Sequence, residues 1–261
     1  MSDQLEFPVE EIFEEGLSRA QIKKLRRKRV RNATPDHNFT LRNVEPKTEN
    51  QARAFDMFEE GKHLLLHGVS GTGKTFLSTF LALREVTDFG SKYKRVLIVR
   101  SAVPSRDIGF MPGNLREKAA MYELPYQGHF SELFGRADAY SIMKQRGIVD
   151  FITTSFVRGT TIEGAIIIID EMQNMTDMEL HSVITRLGKD TRLIICGDYR
   201  QDDLSGKKGE VSGLKNIFKI LTSMKSVGTV DFKIEDVVRS GFVREYLLTR
   251  HRLGLDPKLE D

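Results

Sequence analysis

Between residues 68 and 75 the chain reads Gly68-Val69-Ser70-Gly71-Thr72-Gly73-Lys74-Thr75, glycines followed by a lysine and a hydroxyl at the spacing G-x-x-x-x-G-K-[ST]. Glycines let a backbone curl until its N–H groups point inward. A helix starting at the lysine adds the positive end of its dipole, and the resulting nest binds phosphate oxygens. In such a nest Lys74 reaches the outer phosphates of a nucleotide and Thr75 ligates magnesium. The bland alternative is a glycine-rich turn between a strand and a helix, with no ligand.

The acids downstream weigh against that alternative. Ile166-Ile167-Ile168-Ile169-Asp170-Glu171 is an apolar strand ending in two carboxylates, and strand ends in parallel sheets face the ligand crevice. Asp170 would hold magnesium through water, and Glu171 would orient and deprotonate an attacking water. Gly197-Asp198-Tyr199-Arg200-Gln201 follows another apolar run. Gln201 would contact the γ-phosphate or the lytic water, unless the segment is a plain Gly-Asp turn. Gln51 lies seventeen positions before Gly68. Its amide can pair with an adenine edge through one donor and one acceptor, or it can serve as the last residue of a capping box, Thr48-Glu49-Asn50-Gln51.

These residues need a scaffold of alternating strands and helices. Leu64-Leu65-Leu66, Val96-Leu97-Ile98-Val99, Asp150-Phe151-Ile152-Thr153, Ala165 to Ile169 and Leu193-Ile194-Ile195-Cys196 are short continuous apolar runs, the pattern of strands buried on both faces. Helical patterns are predicted at about 49–60, 74–89, 176–188 and 236–249, with a last strand near Val230-Asp231-Phe232. The alternation predicts an α/β fold, a parallel sheet sandwiched by helices through right-handed crossovers.

Composition sets the outer bounds. The 261 residues are 39% hydrophobic and 30% charged, with 7 prolines, as in an ordinary folded protein able to bury its own core. The longest apolar run, Ala165 to Ile169, is far below the roughly 18 residues that span a bilayer, so no membrane role is expected. The single cysteine, Cys196, sits in a strand pattern and reads as a buried hydrophobe in a reducing, cytoplasmic setting. The six histidines and the single cysteine supply no complete zinc-ligand set, which leaves oxygen ligands for any metal. The net charge of +3 hides an acidic block over residues 1–15 and a basic one over 19–31. The basic block is either a contact for RNA or DNA phosphates or a solvated arm paired with its acidic neighbour. We expect a charged appendage over 1–45, the ordered domain over 46–250 and a tail over 251–261.

Taken together the motifs resemble the PhoH family of P-loop ATPases, whose core is similar to the first RecA-like domain of superfamily 1 helicases. The resemblance covers about residues 47–248. It rests also on Arg100-Ser101-Ala102-Val103-Pro104, Gly109 to Lys118, Val157-Arg158-Gly159-Thr160-Thr161, Asp170-Glu171-Met172-Gln173-Asn174, Thr185-Arg186-Leu187-Gly188, Gly197 to Leu204 and Asp236-Val237-Val238-Arg239. The family usually has Pro at Ser101, Ala at Met172 and a second arginine at Thr160, so no arginine role carries over to that last position. The resemblance implies a P-loop NTPase with a RecA-like sheet, ATP and Mg2+ as ligands, and a strand ending at Asp198 that lies between the phosphate-loop strand and the Asp170 strand. The short appendage resembles minimal versions seen in phages, with the host cytoplasm as the compartment.

An ATPase acting on RNA or single-stranded nucleic acid through residues 19–31 and the sheet crevice is the leading expectation. A nucleotide-gated module with little turnover and a small-molecule kinase are the alternatives, and Glu171 argues against both. A lysine and a base still leave the charge developing on the γ-phosphate without a cation. Arg158, Arg186 and Arg239 are the candidates to supply it, in cis or from a neighbour in a homo-oligomeric ring such as a hexamer.

Overall fold

The computed structural model describes residues 39–101, 115–154, 157, 161–198 and 214–255. The basic stretch 19–31, Arg158 and Gln201 lie outside the described residues. In chain order the elements are α1 (Glu49–Glu59), β1 (His63–Gly68), α2 (Lys74–Thr87), β2 (Arg95–Arg100), α3 (Leu115–Phe134), α4 (Ala139–Gln145), β3 (Val149–Thr153), β4 (Ala165–Ile169), a 3-10 turn (Met172–Asn174), α5 (Asp177–Ile184), β5 (Arg192–Gly197), α6 (Leu214–Ser223), β6 (Val227–Phe232), a second 3-10 turn (Ile234–Asp236) and α7 (Gly241–Arg252).

The strands form one sheet in the order β3-β2-β4-β5-β1-β6, every pairing parallel. β5 thus lies between β1 and β4, as the family resemblance implied. β1, β4 and β5 bury nearly every residue, because their Leu and Ile side chains alternate between two apolar layers. Leu64, Leu66, Ile166, Ile168 and Ile194 face the layer that α1 to α4 cover, whereas Leu65, Ile167, Ile169 and Ile195 face the one covered by α5 and α6. This is a RecA-like P-loop NTPase fold. All strands end on one edge, so Gly68, Arg100, Asp170 and Asp198 are neighbours there. No helix among the described residues is long and apolar enough to cross a membrane.

Several elements differ from expectation. α3, α4 and α6 were not foreseen. Pro125 interrupts the α3 pattern, yet it lies on the exposed side of the helix, and Tyr126, Phe130 and Leu133 anchor the buried side. The helix expected at 176–188 ends at Ile184, because Leu187 bridges back to Ile162. That expected at 236–249 begins only at Gly241, since the Val238 N–H donates to Gly71 O at 3.2 Å instead of joining a helix. Within the stretch expected as an appendage, Phe39, Leu41 and Val44 rest on the core, and the Arg42 N–H donates to Leu133 O at 2.8 Å.

Candidate nucleotide and metal site

The phosphate loop follows β1 directly. Gly68 has φ 117°, and a Cβ there would come within 2.0 Å of the Phe232 carbonyl on β6, so no other residue fits. Val69 N–H donates to that same carbonyl at 2.9 Å, Thr72 Oγ1 donates to Val69 O at 3.0 Å, and Ser70 forms the exposed tip. Gly71 packs beneath Arg239 and Leu247, and Gly73 takes the left-handed position that starts α2. Lys74 Nζ curls back onto the loop and donates to Gly68 O and Val69 O, both at 2.7 Å. Burial pushes its pKa down, opposed by Cys196, Asp198, Glu171 and Asp170.

Asp170, 4% exposed, sits past the end of β4 and is held on both carboxylate oxygens. Thr75 Oγ1 donates to Oδ1 at 2.9 Å, and the Tyr126 hydroxyl of α3 donates to Oδ2 at 2.6 Å. Burial, then the Asp170 charge, raises the Tyr126 pKa well above its usual value, so the phenol stays a donor.

Glu171 adopts a left-handed conformation, φ 55° and ψ 51°, which costs a non-glycine residue about 1–2 kcal/mol. That turn swings its carboxylate toward Gln173, whose Nε2 donates to Oε2, and toward Arg100, whose Nη2 lies 3.9 Å from Oε1. Burial first and Asp170 second raise the Glu171 pKa, against Arg100, Gln173 and Lys74. A raised carboxylate is a stronger base once ionised. The other end of the Gln173 amide, Oε1, accepts the Asp198 N–H at 3.1 Å. Gly197 makes room for this, since a Cβ there would lie 2.4 Å from Met172 Cγ and 2.5 Å from Gln173 Oε1.

The remaining sequence candidates divide. Gln51 is buried; its Nε2 donates to Thr72 O at 3.0 Å and its Oε1 accepts Lys47 N–H at 2.8 Å. The capping box is therefore only half formed: Thr48 accepts Gln51 N–H, but the Gln51 side chain ties α1 to the phosphate loop instead of returning to Thr48. Arg239 is exposed beside its own phosphate loop, its Cγ 3.2 Å from where a Gly71 Cβ would stand. Arg186 lies at the opposite edge of the sheet, where its carbonyl accepts Ile162 N–H at 2.8 Å ahead of β4. It does not join the site of its own chain.

Three residues of this edge had no assigned role in the sequence reading. Arg100 was findable, because it ends an apolar strand and strand ends face the crevice. Gln173 stood in a quoted motif without a chemical task. Nothing in the sequence pointed to Tyr126, which lies in a helix that was not foreseen.

The donors fit magnesium. Thr75 and Asp170 offer hard oxygen atoms side by side, and among the described residues no three His, Cys, Asp or Glu cluster to hold a metal alone. Mg2+ takes few protein ligands and completes its shell with water and phosphate.

A family model described as PhoH-like protein matches residues 43–249. The chain is 33% identical over 181 residues to the PhoH-like protein of Bacillus subtilis, which covers 69% of this chain and 55% of that protein. It is 30% identical over 203 residues to Protein PhoH of Escherichia coli, covering 77% and 56%. It thus spans little more than half the length of these relatives. Among solved structures it is similar to the large terminase of the thermophilic bacteriophage D6E in complex with ADP, with a TM-score of 0.43 and 11% identity over 78% of this chain and 49% of that one. The Sulfolobus solfataricus SWI2/SNF2 ATPase core in complex with dsDNA is similar at a TM-score of 0.41 and 15% identity, over 74% and 47%. The family match runs unbroken from α1 through the phosphate loop and both acids to α7, and by it this chain belongs to the PhoH-like protein family.

Proposed function

We propose that this chain is a magnesium-dependent ATPase whose turnover is linked to RNA or single-stranded nucleic acid. The observation that carries this reading is the direct Thr75–Asp170 hydrogen bond at 2.9 Å, with Lys74 and Glu171 on the same sheet edge. The loop N–H groups and Lys74 bind the phosphates, and Thr75 and Asp170 hold the metal. When bound, Mg2+ neutralises charge on the phosphate oxygens. Glu171, its carboxylate fixed by Gln173, takes the proton of the attacking water, and Gln201 contacts the γ-phosphate or that water. Gln51 selects adenine by exchanging its Thr72 bond for the base. Residues 19–31 track the nucleic-acid backbone by charge.

The chain forms a homo-oligomeric ring, such as a hexamer, in which a neighbour's arginine completes the site. Arg186, remote from its own acids, suits a role in trans, and Arg158 is the other candidate for it. Arg239, against its own phosphate loop, suits a role in cis.

Phosphate release from ATP, measured with and without Mg2+, RNA and DNA on a sample of known mass in solution, tests the reading. Turnover that needs Mg2+ and rises with single-stranded nucleic acid is expected. Magnesium-dependent binding with no turnover would leave a nucleotide-gated module instead.

A further inference from the structure

Asp170 is the carboxylate beside Thr75, and its orientation decides where a metal could sit. Thr75 restrains only Oδ1. The other restraint comes from α3, which packs beside α2 on the same side of the sheet. Tyr126 is 0% exposed, and its hydroxyl reaches Asp170 Oδ2 at 2.6 Å, within the 2.5–2.7 Å range of charge-assisted O–H···O⁻ bonds. Its ring is itself fixed, with the Phe151 ring at 5.9 Å and the edge-on His129 ring at 6.2 Å. His129 in turn meets Phe76, the residue after Thr75, edge to face at 5.5 Å. A rigid donor on one oxygen and a hydroxyl on the other leave the carboxylate a single orientation.

We infer that Tyr126 is a positioning residue for the metal site, holding Oδ2 of Asp170 so that Oδ1 stays beside Thr75 and faces the metal. Each carboxylate oxygen has two acceptor positions, so Oδ1, while it accepts from Thr75, would still have one to offer toward a metal site. Without Tyr126 the carboxylate turns about its last bond, and a metal arriving with the nucleotide must reorder it. This inference rests on the magnesium-dependent reading above. Tyr126 acts through Asp170, to which its hydroxyl is committed.

The test compares the full-length protein with Tyr126→Phe, which deletes one oxygen and keeps the ring. A fluorescent ADP is titrated at a series of Mg2+ concentrations, with thermal melting alongside. Losing an outer partner of a metal ligand typically costs about tenfold to a hundredfold in metal affinity, so the half-saturating Mg2+ should rise by about that factor while metal-free ADP binds as before. Tyr140→Phe is the matched control. It breaks the other tyrosine–carboxylate bond to α3, Tyr140 to Glu123 at 3.0 Å, away from the site, and should lower the melting temperature without moving the Mg2+ dependence. In an Asp170→Asn background, Tyr126→Phe should add nothing to the Mg2+ dependence. An unchanged Mg2+ dependence in folded Tyr126→Phe, or an equal change in Tyr140→Phe, overturns the inference. If Tyr126→Phe does not fold, 3-fluorotyrosine at position 126 keeps the hydroxyl. Its fluorine resonance should move when Mg2+ is added to the ADP complex, and a resonance indifferent to Mg2+ overturns the inference equally. A wild-type protein whose ADP affinity ignores Mg2+ overturns the functional reading itself.

Discussion

The Gln173 side-chain oxygen accepts the backbone N–H of Asp198 at 3.1 Å, while the nitrogen of the same amide donates to Glu171. One amide thereby fixes Glu171 and the end of β5 at Asp198 relative to each other. Gln173→Leu should lower kcat by about tenfold to a hundredfold, as expected for losing a hydrogen bond to a charged group worth ~1.5–3 kcal/mol. The KM for ATP should stay within about twofold, because no contact to substrate is removed. Steady-state kinetics check both.

Glu171→Gln keeps shape and cannot accept a proton. Nucleotide binding should persist while turnover falls by about a hundredfold to ten-thousandfold. Lys74→Ala should lose binding as well, since its ammonium is the cation the loop already surrounds. Equilibrium binding of a fluorescent nucleotide separates the two variants.

Gln51→Ala tests two properties of one side chain. Loss of its bonds to Thr72 and Lys47 should cost about 1–3 kcal/mol of stability. If it also recognises adenine, the KM for ATP rises and GTP use is nearly unchanged. Equal losses for both nucleotides would leave Gln51 as a tether between α1 and the phosphate loop.

Stability should fall as pH drops from 7 toward 5, and His63 should account for part of the fall. Burial and then the Arg192 charge hold its pKa below 6.5, and its Nδ1 accepts the Leu193 N–H at 3.0 Å. The unfolded chain binds the proton first, so the stability present above the unfolded value is lost through that value down to the folded one. His63→Asn keeps an acceptor without titrating and should flatten this part of the slope, read from urea unfolding at each pH.

Mixing variants distinguishes the arginines. Glu171→Gln mixed with Arg186→Ala should regain turnover if Arg186 acts in trans, because some interfaces then pair an intact base with an intact arginine. Glu171→Gln mixed with Arg239→Ala should not, since Arg239 lies against the loop of its own chain. Recovery with Arg239→Ala would place that residue at an interface.

What the sequence made legible follows from how each feature is encoded. The phosphate loop and the Asp170 strand were readable because their chemistry is local: glycines where the backbone curls, and isoleucines where both faces are buried. α3 was not, because Pro125 and Gly128 carry helix-breaking signals that tertiary anchoring through Tyr126 and Phe130 overrides. The side-chain bond of Gln51 to Thr72 was hidden for another reason, since it joins segments 21 residues apart through a partner that has no side-chain signature. Arg186 matched a motif and still lies far from Asp170, because proximity in a parallel sheet depends on which end of a strand a residue occupies.

The strand order also governs when the site can exist. β1 and β4 touch each other only through β5: Leu64 pairs with Ile194 and Ile166 with Arg192. A growing chain that has emerged to Asp190 already carries Lys74, Thr75, Asp170 and Glu171, yet it lacks the strand that sets Thr75 beside Asp170. Nucleotide capture during synthesis is therefore expected only once Gly197 is in place. Nascent chains of increasing length should gain ATP-dependent protection from proteolysis in a single step beyond that residue.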